Sequence, residues 1–69
     1  MSQSREILNY LKQGNEINPL LALERFGCMR LAARISDLRA EGFGIETIVK
    51  KGHNGKVYAS YRLEVRNDG

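Results

Sequence analysis

Hydrophobic positions at the start of the chain recur with the spacing of an amphipathic helix. Ile7, Leu8 and Leu11 fall on one side of a helix covering roughly residues 4–13, and polar residues fall on the other. Gly14 follows at a position where a helix ends easily. A helix this short is marginal alone, so we expect packing to hold it in place.

A second helix is predicted to begin at Asn18-Pro19. The side chain of Asn18 can accept a hydrogen bond from an amide of the first turn, and Pro19 lacks only an N–H that has no helical partner. Apolar residues then recur as far as Phe26, and Gly27 gives the backbone the freedom to leave the helix sharply. The free amides near Asn18 are a candidate contact for a phosphate.

A third helix is predicted from residue 28 or 29 to residue 41. Leu31, Ile35 and Leu38 form its buried seam. The opposite stripe consists of Arg30, Ala33, Arg34 and Asp37. Two helices joined by a tight turn, the second with one apolar and one arginine-bearing face, are what a helix-turn-helix requires, because its second helix must both pack on the protein and enter a DNA groove.

Beyond Gly42 the hydrophobic period changes to two, which predicts a pair of strands. A two-residue turn at Asn54-Gly55 would pair apolar with polar positions. A shift of one residue keeps one face apolar, because it places Ile45 opposite Leu63, Thr47 opposite Tyr61 and Val49 opposite Ala59. We favour this second register, which requires a longer loop or a bulged turn at residues 52–56.

These elements predict one α+β domain over residues 1–69, a winged helix-turn-helix. Three helices would be followed by a two-stranded antiparallel hairpin, the wing, and residues 67–69 would form a frayed tail. The half-buried strand pattern extends to Val65, and its apolar face is expected to pack on the helices.

The distribution of charge adds to this picture. The 69 residues carry a net charge of +3, but residues 25–56 contain seven Lys and Arg against three Asp and Glu, whereas the remaining residues contain four against five. The positive charge is therefore concentrated on the second half of the helix pair and on the hairpin. That location favours a nucleic-acid partner more than the total charge does.

Composition excludes several other classes. A single cysteine, Cys28, cannot form an internal disulfide, and one Cys with one His cannot supply a structural zinc site. Cys28 and His53 lie on different predicted elements, with no third group to orient a base. The chain has no secretory signal and no apolar run of about 20 residues. We expect a cytoplasmic protein that is not an enzyme and binds no cofactor, metal or membrane.

The candidate DNA contacts follow from the helix pair. Arg30 and Arg34 lie one helical turn apart, and an arginine fork can bind guanine or a phosphate. The alternative is a solvated basic face on which Arg34 pairs with Asp37. Arg39 is a weaker candidate for a phosphate contact, and Met29 a candidate for a thymine methyl. The basic loop adds candidates for contacts along the flanking backbone: Lys50, Lys51, His53, Asn54 and Lys56.

A family resemblance rests on three stretches of the chain. They are NPLLAL at residues 18–23, FGCMRLAARI at residues 26–35 with DLR at residues 37–39 and Gly42, and YASYRL at residues 58–63. From Ile7 to Leu63 the chain resembles the small helix-turn-helix domain proteins common in phages and prophages. The resemblance implies a winged-helix fold and DNA binding, but it defines neither an operator nor a single physiological role.

The favoured function is binding of double-stranded DNA, as a small phage or prophage transcriptional regulator or a recombination accessory factor. Helix 29–41 would enter the major groove and residues 50–56 would follow the backbone. A lone module covers few base pairs, so specificity would require a homodimer or neighbouring copies. The alternative is a winged helix that binds a protein, such as a phage-encoded inhibitor of a host nucleic-acid enzyme, and the modest net charge leaves it open.

Overall fold

The computed structural model describes residues 3–64, which contain three helices followed by a hairpin. The helices are α1 (Gln3–Lys12), α2 (Pro19–Phe26) and α3 (Leu31–Ala40), and the strands are β1 (Ile45–Lys51) and β2 (Val57–Leu63). The strands are antiparallel. The predicted fold class, three helices and a two-stranded wing, is confirmed. Val65 and the predicted tail at residues 67–69 lie outside the described residues.

The core lies between the helices and the base of the hairpin. The first and third helices contribute buried apolar residues at helical spacing, α2 contributes Ala22, and the hairpin contributes Ile45. Tyr10 and Phe26 meet edge to face at the margin of this core, with ring centroids 5.7 Å apart. The fully buried helical residues include Ile7, Leu8, Leu11, Ala22, Ile35 and Leu38. The apolar seams predicted for α1 and α3 are therefore the ones that the fold buries.

Both predicted ends of α2 are confirmed. The Asn18 side chain accepts a hydrogen bond from the backbone N–H of Leu21 at 2.8 Å, and Pro19 occupies the first helical position. Gly27 ends the helix with φ of 63°, and its N–H donates to the carbonyl of Leu23 at 3.0 Å. Left-handed backbone of this kind suits glycine.

The third helix begins later than predicted, at Leu31 rather than at residue 28 or 29. Cys28 is buried, and its N–H donates to the carbonyl of Ala22, so it continues the end of α2. Met29 and Arg30 then lie in the turn, and the Arg30 carbonyl accepts the first bonds of the helix. The predicted helix therefore included part of the turn before Leu31, in which Cys28 is buried in the core.

The hairpin has the predicted register, with Ile45 opposite Leu63 and Val49 opposite Ala59. Its loop spans residues 52–56 and closes with a hydrogen bond of 2.8 Å from the Gly52 N–H to the Lys56 carbonyl. Within the loop the Gly55 N–H donates to the Gly52 carbonyl, and Gly55 has φ of 80°. A turn followed by a left-handed glycine is a common three-residue hairpin connection.

A single-residue bridge to β2 was not predicted. The backbone N–H and carbonyl of Ile17 both pair with Tyr61, at 2.9 and 2.8 Å. The connector between α1 and α2 thus joins β2 on the side away from β1, and Ile17 is fully buried. This bridge fixes the start of α2 against the hairpin.

The predicted burial of one whole face of the hairpin is correct only at the base. Ile45 is buried and Leu63 and Tyr61 are partly buried. On the same face, Val49 and Val57 are 70% and 66% exposed. The helices cover only the base, so the tip projects with its apolar side chains in solvent.

Candidate nucleic-acid interface

The outward face of α3 carries small side chains. Helical geometry places Ala33, Ser36 and Ala40 opposite the buried seam, and Ser36 and Ala40 are exposed. Small residues allow another surface to approach the helix backbone closely. Asp37 lies beside them and is also exposed. This face is open to a partner, but its central residues carry no positive charge.

The predicted stripe placed Arg34 on the outward face of α3, but Arg34 does not lie there. Steps of about 100° per residue place it beside the seam. Its side chain is 37% exposed, and its Nε atom is buried without a hydrogen-bond partner. Its Nη2 atom lies 3.2 Å from Asp37 Oδ2. The ion pair considered as the alternative to DNA contact therefore forms, and a phosphate would have to compete with Asp37 for this guanidinium.

Arg30 and Met29 lie in the turn just before α3. Both are exposed, Met29 to 86%. The Arg30 carbonyl accepts the first hydrogen bonds of the helix, while within residues 3–64 the Arg30 side chain makes no hydrogen bond and no ion pair. Of the two predicted arginine contacts, Arg30 is the one whose guanidinium is free.

Arg39 binds the hairpin. Its Nε and Nη2 atoms donate to the Ile45 carbonyl at 3.1 and 2.7 Å, and Nη2 also donates to Thr47 Oγ1 at 2.9 Å. The guanidinium lies 6.0 Å from the centre of the Tyr61 ring. These contacts fix the angle between α3 and β1. Arg39 thus positions the wing, and its predicted contact with a phosphate would use a guanidinium that is already engaged.

Four predicted wing residues are exposed at or near the tip, namely Lys51, His53, Asn54 and Lys56. The Asn54 side chain accepts a hydrogen bond from the Lys56 N–H at 3.0 Å, so it shapes the loop. The side chains of Lys51, His53 and Lys56 make no hydrogen bond, ion pair or ring contact within residues 3–64. A loop that holds its own shape and leaves its cations free suits a contact with a nucleic-acid backbone.

Lys50 faces the other way. Its Nζ atom lies 2.6 Å from Glu16 Oε1, which also accepts a hydrogen bond from the Ser60 hydroxyl at 2.9 Å. The hydrogen bond with Lys50 is the main cause that lowers the pKa of Glu16, and the same bond raises the pKa of Lys50. Lys50 therefore ties the hairpin to the connector before α2, although the sequence predicted it as a wing cation.

Asn18 also has a structural partner. Its side chain caps α2 through the Leu21 amide, so one of the amides predicted to face a phosphate is already satisfied.

A family model, described as a winged helix-turn-helix domain, matches residues 2–66. The chain belongs to this family. Membership suggests DNA binding in general terms, and it agrees with the exposed α3 and the projecting hairpin. No curated protein and no solved structure was found to match the chain.

The cations of this winged helix-turn-helix domain fall into two groups. Most are engaged: Arg5 lies near Glu41, Arg62 binds Glu46, and Lys12 and Arg25 lie over the rings of Phe43 and Tyr10. Within residues 3–64, three Lys and Arg side chains make no ion pair, hydrogen bond or ring contact. They are Arg30, Lys51 and Lys56. The free positive charge is thus found at the start of α3 and on the wing.

The sequence did not predict that Glu16 and Arg39 position the wing. It indicated Arg39 only as a weaker candidate for a phosphate contact and gave Glu16 no role. The predicted register does place Lys50 and Ser60 on one face of the hairpin. It gives no sign of Glu16, because the Ile17–Tyr61 bridge that brings Glu16 to that face is a single residue pair.

Two absences complete the description. No group of three or more His, Cys, Asp and Glu suited to a metal ion occurs within residues 3–64. No helix in that part of the chain is long and apolar enough to span a bilayer.

Proposed function

We propose that the domain binds double-stranded DNA, with α3 in the major groove and the wing on the flanking backbone. The observation that carries this proposal is the placement of the free cations Arg30, Lys51 and Lys56 on the two elements that a winged helix offers to DNA. The small outward side chains of α3 support the same arrangement, because they let the helix enter a groove deeply.

The cations have different roles in this proposal. Arg30 has a free fork at the N-terminal end of α3, which can bind a guanine edge or a phosphate. Lys51 and Lys56 contact phosphates beside the groove that α3 enters, and these contacts set the strength of duplex binding. Arg34 contributes after exchanging Asp37 for a DNA acceptor. Asn18 and Met29 remain secondary contacts, and His53 and Asn54 lie beside the lysines on the loop.

A salt titration of duplex binding tests the proposal. Fluorescence anisotropy with a pool of labelled duplexes should show affinity falling steeply with salt, with a log–log slope of about 0.9 for each phosphate contacted. Lys51→Ala/Lys56→Ala should weaken binding and reduce the slope by about 2. The matched control, Arg5→Ala/Lys12→Ala, removes the same charge from α1 and should change both much less. Equal effects of the two double variants would contradict the proposed interface.

A role as a small phage or prophage transcriptional regulator, or as a recombination accessory factor, is the finer form of the proposal. The resemblance over residues 7–63 supports it. Selection from a random duplex pool separates sequence-specific from general binding, and Arg30→Ala/Arg34→Ala should abolish enrichment while circular dichroism shows a folded chain. A pool that wild-type protein does not enrich would favour an architectural role over a regulator.

We also propose that the domain is not an enzyme and acts in the cytoplasm. Cys28 is buried and His53 is exposed at the wing tip, so the one thiol and the one imidazole do not meet. A nucleophile and its base need direct contact. Absence of hydrolytic activity toward duplexes during the binding measurements would agree with this assignment.

A second candidate function is binding of a protein, which exposed apolar residues favour. A shallow cleft of about 380 Å³ lies between the start of α2 and the wing loop. The cleft is lined by Asn18, Pro19, Leu20, Gly52, His53 and Tyr58. Leu20 is 66% exposed. Binding of a protein at this cleft would be insensitive to salt but sensitive to Leu20→Lys, the reverse of the pattern expected for DNA.

A further inference from the structure

The outer edge of β1 is an unused pairing surface. The sheet order is β1–β2, with Ile17 on the far side of β2, so no strand within residues 3–64 lies beside β1 on its outer edge. Tyr61 uses its N–H and carbonyl for Ile17, and therefore its partner Thr47 forms a non-hydrogen-bonded pair with it. Alternation along the strand then directs the backbone groups of Thr47, Val49 and Lys51 outward.

This edge is open over a defined length. At the base, the Arg39 guanidinium occupies the outward carbonyl of Ile45 through two hydrogen bonds. At the tip, the chain turns into the loop that begins at Gly52. Three residues with outward backbone groups remain between these limits, and Val49 is the middle one. Its side chain is 70% exposed.

We propose that this edge pairs with the same edge of a second copy of the chain, antiparallel, with Val49 opposite Val49 of the other copy. Thr47 of each copy then lies opposite Lys51 of the other, and the three outward residues exchange six backbone hydrogen bonds. The two hairpins become one continuous sheet. Addition of a strand to a free edge is a recurrent mode of association.

Apolar surface favours a second copy as the occupant, and charge is compatible with it. In this register no lysine lies directly opposite a lysine, and each Lys50, whose charge Glu16 already balances, lies diagonal to both Glu46 and Lys50 of the other copy. On the other face, Val49 and the diagonal Val57 of each copy form one apolar patch of four valines. Val57 is 66% exposed in the single chain, so pairing removes apolar surface from water.

The register avoids the contacts that already exist. A shift of one pair toward the base would bring Lys51 of the other copy to Ile45, whose carbonyl Arg39 already occupies. The Val49-centred register leaves Arg39 in place and leaves the wing loop outside the interface. Lys51 pairs through its backbone alone, which leaves its side chain available, so the proposal does not rest on DNA binding.

Sedimentation equilibrium of the full chain over a range of concentrations tests the pairing. The wild type should form dimers, and Val49→Lys should weaken them at least about tenfold because two lysines would meet at the axis. Val49→Pro removes only the outward N–H, which makes no bond to β2, so the hairpin should fold and the dimer should be lost. Leu23→Lys, at an exposed apolar site on α2 away from the edge, should leave dimerisation unchanged.

Cross-linking tests the register. Val49→Cys should give a covalent dimer on oxidation, because opposed Cα atoms in a hydrogen-bonded pair lie about 5.5 Å apart, within disulfide range. Tyr58→Cys, on β2 and away from the axis, should not. A wild type that stays monomeric at every concentration, or a dimer that survives both Val49→Lys and Val49→Pro, would overturn the proposal. So would a monomer whose Val49→Pro variant loses duplex binding, because the edge would then serve DNA.

Discussion

The base and the tip of the hairpin are formed by the same two strands, yet their side chains have different surroundings. At the base, Ile17 and Ile45 are buried and Arg39 links α3 to β1, whereas Glu16 binds Lys50 one residue before the tip. At the tip, Lys51 and residues 53–56 are exposed. The base therefore sets the direction of the wing, whereas the tip is free to meet a partner. The predictions below separate these two roles.

The largest expected difference concerns Ile17. Replacing this fully buried residue with alanine leaves a cavity in the core beside β2 and should lower the free energy of unfolding by about 2–5 kcal/mol. Val57→Ala, at the exposed tip, should change it by no more than about 0.5 kcal/mol. Urea denaturation measures both. If Ile17→Ala does not fold, Ile17→Val should still lose about 0.5–1.5 kcal/mol. Equal losses at the two sites would remove the distinction between base and tip.

Arg39 and Arg30 provide a comparison between two arginines of the same region. Arg39→Ala removes three hydrogen bonds to β1 and should lower the free energy of unfolding by about 1–2 kcal/mol. Arg30→Ala removes none and should leave it within about 0.5 kcal/mol. In duplex binding the order should reverse. Arg30→Ala should lower the affinity more than Arg39→Ala, because Arg30 is proposed to contact the DNA directly. Thermal denaturation and anisotropy on the same samples decide the matter.

Gly55 tests whether the tip has a conformation of its own. Its φ of 80° is unfavourable for a residue with a side chain, and no atom lies within 4 Å of an added Cβ. Gly55→Ala should therefore cost about 1 kcal/mol through backbone strain alone. Gly52→Ala in the same loop has no positive φ and should cost less. A loop that tolerates both substitutions equally would have no fixed shape to present to DNA.

The smallest effect is the pH dependence of the Glu16–Lys50 pair. The folded-state pKa of Glu16 lies below its ordinary value of 4.5, so its contribution to stability is complete above 4.5 and is lost as pH falls through the folded pKa. The folded-state pKa of Lys50 lies above its ordinary value of 10.5. Its contribution to stability is therefore complete below 10.5 and is lost as pH rises through the folded pKa. Glu16→Gln should be less stable than the wild type near neutrality, and the gap should close in acid. Glu24→Gln, a carboxylate on the exposed side of α2, should show no such gap.

Local signals in the sequence were sufficient for the elements and the register. Asn18 and Gly27 have conformational requirements that act within one helical turn, and the alternation of Thr47 and Tyr61 with polar neighbours fixes which residues oppose each other. These features depend on near neighbours in the chain. They are therefore visible without knowledge of the fold.

The remaining features depend on residues far apart in the sequence. The bridge at Ile17 is one residue long and has no period, and the partner of Lys50 is known only once that bridge exists. Exposure of Val49 depends on where the helices stop covering the sheet, which periodicity does not report. For the same reason the sequence indicated the basic side chains as candidates but did not separate the free ones from Lys50, Arg34 and Arg39.

The Ile17–Tyr61 pairing has a consequence for how the chain folds. It joins two segments that enclose α2, α3 and β1, and closing so long a loop costs entropy before any contact compensates for it. Helices form from local contacts, so the helix pair can assemble early while the sheet waits for the C-terminal strand. During synthesis, the bridge between Ile17 and Tyr61 can form only after Tyr61 has emerged from the ribosome, so the sheet is completed after all three helices have been translated.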